Sequence, residues 1–379
     1  MSWTDIFPVL TDEQIDQYHN EATAAEKAQM ENWYGVERII NAQAEKTHIV
    51  SVSLFWKNVR VGDPELPTPT REKLQNAVEL GLAERFNPWD HYILPLIELT
   101  PEILKTHPSI SVRVYLANDL AFLADELAEA GNEVYLMKSS SINFAPGGLW
   151  RFLPFSEEGR MVTVTDTDRL DELATDLERT EIMRKVGVGA WRVPVPRDLT
   201  PDYRVCYLPF MGCQFGVKGG VFDVRELLDA FTWQCLHERI EPTVNFPNCG
   251  PLPIQSSVWP SYGFDEFFMT IAAYPRIALD GMITFVPGDT SSQLLMVDVE
   301  YCTWGNPASE LVFFPSGSCC GQLPTGAKAS YFPTSAEPLP DIEPFELGSE
   351  PKIAFLFLTR KEVNHPEIWR EYFQSNEGE

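Results

Sequence analysis

The order of predicted elements indicates an α/β protein whose mainly parallel sheet is flanked by helices. Strands alternate with helices between residues 48 and 165, and such alternation builds parallel strands joined by crossover connections. Several of these strands are rich in β-branched and aromatic residues, as expected of buried strands. The last of them ends at two carboxylates, Asp166 and Asp168. Ligands of open α/β sheets bind beyond the carboxyl ends of the strands, where these carboxylates fall.

The elements are predicted in order from local signals. A helix is predicted over 11–45 because Thr11 is a cap residue and the following stretch is rich in Ala and Glu. Gly131 stands where a glycine closes a helix. The predicted strands are 48–56, 111–116, 133–137 and 161–165. The other predicted helices are 71–85, 119–130, 223–239 and one that opens at 262–268.

Composition and charge restrict the function. The chain has 379 residues, of which 44% are hydrophobic and 22% charged, as in a soluble globular protein. It has no apolar run of membrane-spanning length and no signal peptide at its start. Its seven cysteines lack metal-ligand spacing, which favours reduced thiols. We therefore expect a cytoplasmic protein. The net charge of -26 and the lack of a basic run exclude nucleic acid as a macromolecular partner. A nucleotide-activated small molecule is compatible with this charge if a divalent cation offsets it.

Asp166 and Asp168 carry the most specific chemistry in the sequence. In a strand, residues two apart project to the same side, so the two carboxylates repel each other unless a cation lies between them. Their hard oxygens suit Mg²⁺ or Mn²⁺, which complete their coordination with substrate phosphates. The alternative interpretation is a loop that begins with acidic residues. The preceding strand and the upstream segment Trp150-Arg151-Phe152 favour the metal site.

Two further segments have both a structural and a functional interpretation. Four glycines within residues 212–220 indicate a backbone that another group approaches closely, or else a tight turn. Asp265 and Glu266 lie near the start of a predicted helix. There they either act on a substrate or complement the helix dipole.

Residues 315–350 are rich in Pro, Gly and Ser and end in an acidic stretch, which is typical of a linker. A new strand at 353–358 and a helix-like stretch at 366–373 follow. They predict the first βα unit of a second domain that is cut off.

With these motifs in this order, residues 46–300 resemble the metal-dependent glycosyltransferases of the GT-A fold. Residues 351–379 resemble the start of a xylosyltransferase or branching N-acetylglucosaminyltransferase module. This architecture is similar to the multidomain glycosyltransferases of chlorella viruses. The resemblance implies an N-terminal helical segment (1–45), a GT-A domain (46–314), a linker (315–350) and a truncated second domain. It also implies transfer of galactose from UDP-galactose to a glycan or glycoprotein acceptor, such as a viral capsid N-glycan, in the host cytoplasm.

The resemblance assigns roles to individual residues. Asp168 would bind Mn²⁺ or Mg²⁺ directly, and Asp166 would contact the ribose or a metal-bound water. Arg151 would lie near the donor diphosphate or sugar, and Gly219 and Gly220 against the donor sugar. Asp265 and Glu266 would lie near the acceptor hydroxyl. A late metal-binding histidine is typical of the family, whereas this chain has no histidine between positions 238 and 364.

Three other classes of protein are weighed against this one. A phosphatase of the haloacid dehalogenase type also places Asp-x-Asp after a strand, but near the start of its domain and without the Arg169-Leu170 that follows here. A sugar nucleotidyltransferase would have a glycine-rich basic loop after its first strand. A non-catalytic glycan-binding module gives no reason for the two carboxylates. The sequence leaves a retaining or an inverting mechanism open and predicts no oligomeric state.

Overall fold

The computed structural model describes residues 9–56, 68–83, 85–141, 147–193, 195–198, 205–208, 212–237, 239–240, 245–246, 250–251, 264–277, 282–286 and 294–296. The chain divides into two units, Met1–Phe332 and Pro333–Glu379. All described residues belong to the first unit. The predicted linker and second domain lie outside the described residues.

The described chain is an α/β structure. Its helices are α1 Asp12–Glu21, α2 Ala24–Tyr34, α3 Arg71–Gln75, α4 Leu94–Thr106, α5 Ala124–Glu129, α6 Leu173–Val186, α7 Val224–Leu236, α8 Phe264–Phe268 and α9 Tyr274–Ile277. Its strands are β1 Val36–Ile40, β2 His48–Leu54, β3 Ile110–Leu116, β4 Glu133–Met137, β5 Met161–Val164, β6 Ala190–Arg192, β7 Val195–Asp198, β8 Val205–Leu208, β9 Phe215–Lys218, β10 Asn245–Phe246, β11 Gly250–Pro251, β12 Met282–Val286 and β13 Leu294–Met296. Short 3-10 segments span Asn118–Leu123, Gly147–Ser156 and Thr167–Glu172.

Nine of the described strands form one mixed sheet in the order β1-β4-β3-β2-β5-β9-β6-β12-β13. The strands β4, β3, β2 and β5 are parallel, and β9 runs antiparallel between β5 and β6. The chain passes from β2 to β3 and β4 on one side and then crosses to β5 on the other side. The strand order therefore reverses between β2 and β5. At such a reversal, open α/β sheets bind ligands in a crevice outside the carboxyl ends of the strands.

The predicted parallel strands are confirmed, and three predicted helices differ from the structure. Residues 11–45 form α1, α2 and the edge strand β1, not one helix; Gly35 ends α2, and β1 pairs antiparallel with β4. The helix predicted over 71–85 stops at Gln75. The helix predicted over 119–130 begins as a 3-10 turn, and Gly131 follows it with φ +96° as expected.

Two described helices contain a π turn two residues before a proline. Leu94 donates its N–H to the Trp89 carbonyl, and Tyr274 donates to Met269, which are five-residue spacings. Pro95 and Pro275 follow directly, and a proline ring in a regular helix would clash with the carbonyl four residues earlier. The wider turn accommodates the ring. The first π turn, Trp89–Ile93, carries His91, and the second follows α8, which carries Asp265.

Aromatic packing attaches the 3-10 segment Gly147–Ser156 to the sheet and to α8. The Phe152 ring stacks on Phe268, with centroids 5.7 Å apart, and also contacts Phe155 and Phe215. The Trp150 indole is fully buried and donates to the Trp33 carbonyl at 2.7 Å. Because these rings are buried, they hold Arg151, which lies between Trp150 and Phe152, in a defined place.

A buried acidic group makes stability depend on pH. Asp176 on α6 pairs with Arg179 at 3.0 Å and is only 2% exposed. Burial raises the pKa of Asp176 from 3.8 to about 6, although Arg179 opposes the shift. Because the folded-state pKa exceeds the unfolded one, this group's stabilising contribution is complete below the unfolded pKa and is lost as the pH rises through about 6.

We expect Asp176→Asn to flatten the pH dependence of the free energy of unfolding. The slope that this substitution removes should be up to about 1.4 kcal/mol per pH unit between the unfolded pKa of 3.8 and the folded pKa of about 6. Urea unfolding between about pH 4 and pH 6, the range between the unfolded and folded pKa values, measures it. The control is Glu178→Gln, which removes an exposed carboxylate from the same helix. Equal slopes for wild type and Asp176→Asn would contradict the assignment.

Candidate functional site

Arg151 holds two carboxylates together at the carboxyl edge of the sheet. Its Nη1 pairs with Asp166 and its Nη2 with Asp265, a residue 114 positions away in the chain. The Arg151 side chain is 8% exposed, whereas those of Asp166 and Asp265 are 41% and 20% exposed. Burial alone lowers the pKa of Arg151, but the charges of Asp166 and Asp265 outweigh it and raise the pKa. We call these three residues the carboxylate clamp.

Two serines of β2 hold the backbone of Arg151. Ser51 donates its hydroxyl to the Arg151 carbonyl at 2.7 Å, and the Ser53 hydroxyl accepts from the Arg151 N–H at 3.0 Å. Ser51 and Ser53 are two positions apart in the strand, so their side chains project to the same face of the sheet. The strand at the reversal point of the sheet therefore places the guanidinium between β5 and α8.

Gly212 lies against the carboxylate clamp. A Cβ at this position would lie 2.7 Å from Asp265 Oδ2 and 3.1 Å from Arg151 Nη2, so a larger residue would displace the clamp. The neighbouring Cys213 thiol contacts Asp166, and burial together with that carboxylate raises the pKa of Cys213 well above its usual range. The thiol stays protonated, so it is a weak donor and not a nucleophile.

Asp168 pairs with a histidine that sequence patterns did not reveal. His91 Nε2 lies 3.1 Å from Asp168 Oδ2, with the side chains 29% and 28% exposed. Burial and the nearby charge of Asp166 raise the pKa of Asp168, while His91 opposes that shift. The charge of Asp166 therefore acts on Asp168. The same-side geometry expected of a strand does not apply, because β5 ends at Val164 and Asp168 lies in the 3-10 segment Thr167–Glu172. Nothing in the local sequence distinguishes His91 from a surface residue before a helix.

The same two carboxylates have the chemistry to hold a divalent cation. Their oxygens are hard ligands, both are partly exposed, and their mutual repulsion favours a cation between them. Among the described residues, no three His, Cys, Asp or Glu side chains are grouped as a metal site. The fit is therefore to an ion such as Mg²⁺ or Mn²⁺ that takes its remaining ligands from phosphates and water.

Glu266 is more buried than its neighbour Asp265. It is 8% exposed, and its Oε1 lies 3.5 Å from the Gly212 N–H, at the limit of a hydrogen bond. Asp265, which is more exposed, belongs to the clamp. The two adjacent acids therefore both lie beside Gly212 but differ in exposure and in their partners.

The structure does not bring Gly219 and Gly220 to this site. Strand β9 is antiparallel to β5, with Phe215 opposite Val164 and Lys218 opposite Met161, so the glycines follow the amino end of β5. A Cβ on Gly219 would lie 2.2 Å from the Glu157 carbonyl oxygen, and Gly220 has φ +85°. Both interpretations of the sequence apply here: the backbone is approached closely, but by the protein itself, and the two glycines lie in a turn.

A second hydrogen-bond network shapes the same edge beside β3. The Asp119 carboxylate accepts from the Ser141 N–H at 2.9 Å and from its hydroxyl at 2.8 Å. The Ser141 hydroxyl in turn accepts from the Trp56 N–H at 2.7 Å. The network joins the segments that follow β2, β3 and β4 at the carboxyl edge of the sheet.

No protein-family model, curated protein or solved structure matches this chain. The described helices include none with the length and apolarity needed to cross a membrane.

Proposed function

We propose that the chain is a glycosyltransferase that moves a sugar, with galactose from UDP-galactose as the best candidate, onto a glycan acceptor. The observation that carries the proposal is the convergence of Asp166, Asp168, Arg151 and Asp265 at the point where the strand order of the sheet reverses. Such a crevice suits a nucleotide, and two exposed carboxylates suit the cation that accompanies a diphosphate.

Under this proposal, Asp166 and Asp168 would hold Mn²⁺ or Mg²⁺, which would take its remaining ligands from the donor phosphates and water. The cation would stabilise the charge that develops on the leaving diphosphate. Asp265 receives the proton of the acceptor hydroxyl at Oδ1, because Oδ2 is the oxygen paired with Arg151. Arg151 then orients both carboxylates at once, instead of contacting the diphosphate as the resemblance implies. The assignment of Asp265 as base describes an inverting transfer.

Metal-dependent nucleotide binding tests the proposal. We expect UDP to bind only when Mn²⁺ or Mg²⁺ is present, and Asp168→Asn to remove this metal-dependent binding without unfolding the protein, because Asn lacks the charge that the cation requires. Isothermal titration calorimetry with UDP, with and without EDTA, measures both effects. Asp171→Asn is the matched control, since it removes an exposed carboxylate from the same 3-10 segment.

A protein that folds normally but binds UDP equally well in EDTA would contradict the proposal. The same holds for an Asp168→Asn variant with wild-type affinity. Hydrolysis of simple phosphate esters without any UDP binding would favour the phosphatase alternative.

A further inference from the structure

A surface depression of about 420 Å³ opens beside the candidate site. Its aromatic wall is formed by Phe86 and His91, whose rings are nearly parallel with centroids 4.2 Å apart. Its polar wall is formed by Glu79, Arg85, Asn87 and Asp90. A volume in this range is typical of small-molecule sites.

Exposed apolar side chains are concentrated in the chain segment that lines this depression. Phe86 is 53% exposed, Leu80 53%, Tyr92 39% and Val78 38%, all within fifteen positions of the chain. Apolar groups that stay exposed beside polar ones mark interaction sites. Phe86 does not fill the core, because it is half exposed and stacks on the His91 ring.

The depression is joined to the candidate site by one side chain. His91 forms part of the depression's wall and also pairs with Asp168 at 3.1 Å. A molecule that contacts the His91 and Phe86 rings is therefore one side chain away from a carboxylate assigned to the donor's cation. The π turn that Pro95 imposes on this segment sets the position of His91.

The charged side chains of the polar wall determine which class of ligand the depression can bind. Two carboxylates, Glu79 and Asp90, stand against the single guanidinium of Arg85. This balance disfavours a diphosphate and suits a neutral molecule with many hydroxyl groups, which carboxylate and amide side chains can hydrogen-bond. The C–H groups on one face of a pyranose carry partial positive charge, and an aromatic face is negative.

We propose that this depression binds a pyranose ring of the acceptor glycan, stacked on Phe86. That the bound saccharide is an acceptor rests on the proposed function, whereas the binding of a saccharide does not. It places the acceptor on the side of Asp168 that carries His91, with the donor in the crevice between β2 and β5.

The test is an NMR titration of the full chain with methyl β-D-galactopyranoside and methyl β-D-glucopyranoside in the tens-of-millimolar range. We expect Phe86→Ala to weaken binding of at least one glycoside by about 3–10-fold, the worth of one aromatic contact. Phe122→Ala is the control, because Phe122 is similarly exposed at 45% but lies in the 3-10 segment after β3. Its affinity should equal that of wild type.

Three results would overturn the inference: no glycoside binding by wild type, equal binding by Phe86→Ala, or equal losses in both variants. A loss of UDP affinity in Phe86→Ala with unchanged glycoside binding would instead assign the depression to the nucleobase. Titration of the same samples with UDP and Mn²⁺ separates the two proposals. Phe86-dependent glycoside binding without UDP binding would retain the saccharide site and reject the glycosyltransferase.

Discussion

Asp265→Asn is expected to lower turnover by roughly 10²–10⁴-fold while UDP binding survives, because Asn cannot accept the proton of the acceptor hydroxyl. Asn is nearly isosteric and can still accept a hydrogen bond from Arg151, so the clamp should keep its shape. Release of UDP from UDP-galactose, measured with the saccharide acceptor that best supports wild-type turnover, gives the rate. Calorimetry with UDP and Mn²⁺ on the same sample shows whether the donor side is intact.

Glu266→Gln and Asp171→Asn are the controls for this experiment. Glu266 is buried beside Gly212, so its variant tests whether the neighbouring acid is the base instead. Asp171 is an exposed carboxylate, and its variant should behave as wild type. Turnover of Asp265→Asn within a few-fold of wild type would retire Asp265 as the base, and Glu266 or a retaining mechanism would then be the better account.

Arg113→Met is expected to lower the free energy of unfolding by about 3–5 kcal/mol, because it leaves a buried carboxylate without its partner. Arg113 and Glu133 are each 2% exposed and pair at 2.7 Å between the parallel strands β3 and β4. Arg113 also pairs with Glu157 and lies over the Tyr135 ring at 4.3 Å. Urea unfolding at neutral pH measures the loss.

Two comparisons test this cause. Adding Glu133→Gln to Arg113→Met should recover part of the loss, since it removes the unpaired buried charge. Arg184→Met breaks an exposed ion pair in which the Arg184 and Glu181 side chains are 57% and 45% exposed. It should lower the free energy of unfolding by at most about 1 kcal/mol. Equal losses for Arg113→Met and Arg184→Met would show that burial does not decide the strength of these pairs.

Much of the parallel sheet was predictable from local sequence. Strands β2 to β5 lie within one or two residues of their predicted bounds, because buried strands are apolar runs bounded by turn residues. Their parallel direction follows from the intervening helices, which also places Asp166 and Asp168 at the carboxyl edge. The edge strand β1 was missed, since Glu37, Arg38 and Ile39 are all exposed and show no alternation.

The composition of the site was only partly predictable. Asp166, Asp168 and Asp265 belong to it, but the ion pair between Arg151 and Asp265 joins residues 114 positions apart, and no local period encodes such a pair. His91 reaches Asp168 only because the helix that begins before Pro95 packs beside the segment after β5. Both contacts depend on how separate elements pack.

The glycines show most clearly what sequence and tertiary structure each decide. The sequence by itself determined that residues 212–220 contain either a closely approached backbone or a tight turn, because four residues without a Cβ stand within nine positions. Only the tertiary structure decided what approaches it: the carboxylate clamp at Gly212, and the Glu157 carbonyl at Gly219. The reason is the antiparallel direction of β9, which sends the two ends of this segment to opposite edges of the sheet. A strand's side-chain period is the same in either direction, so the sequence pattern contains no record of that choice.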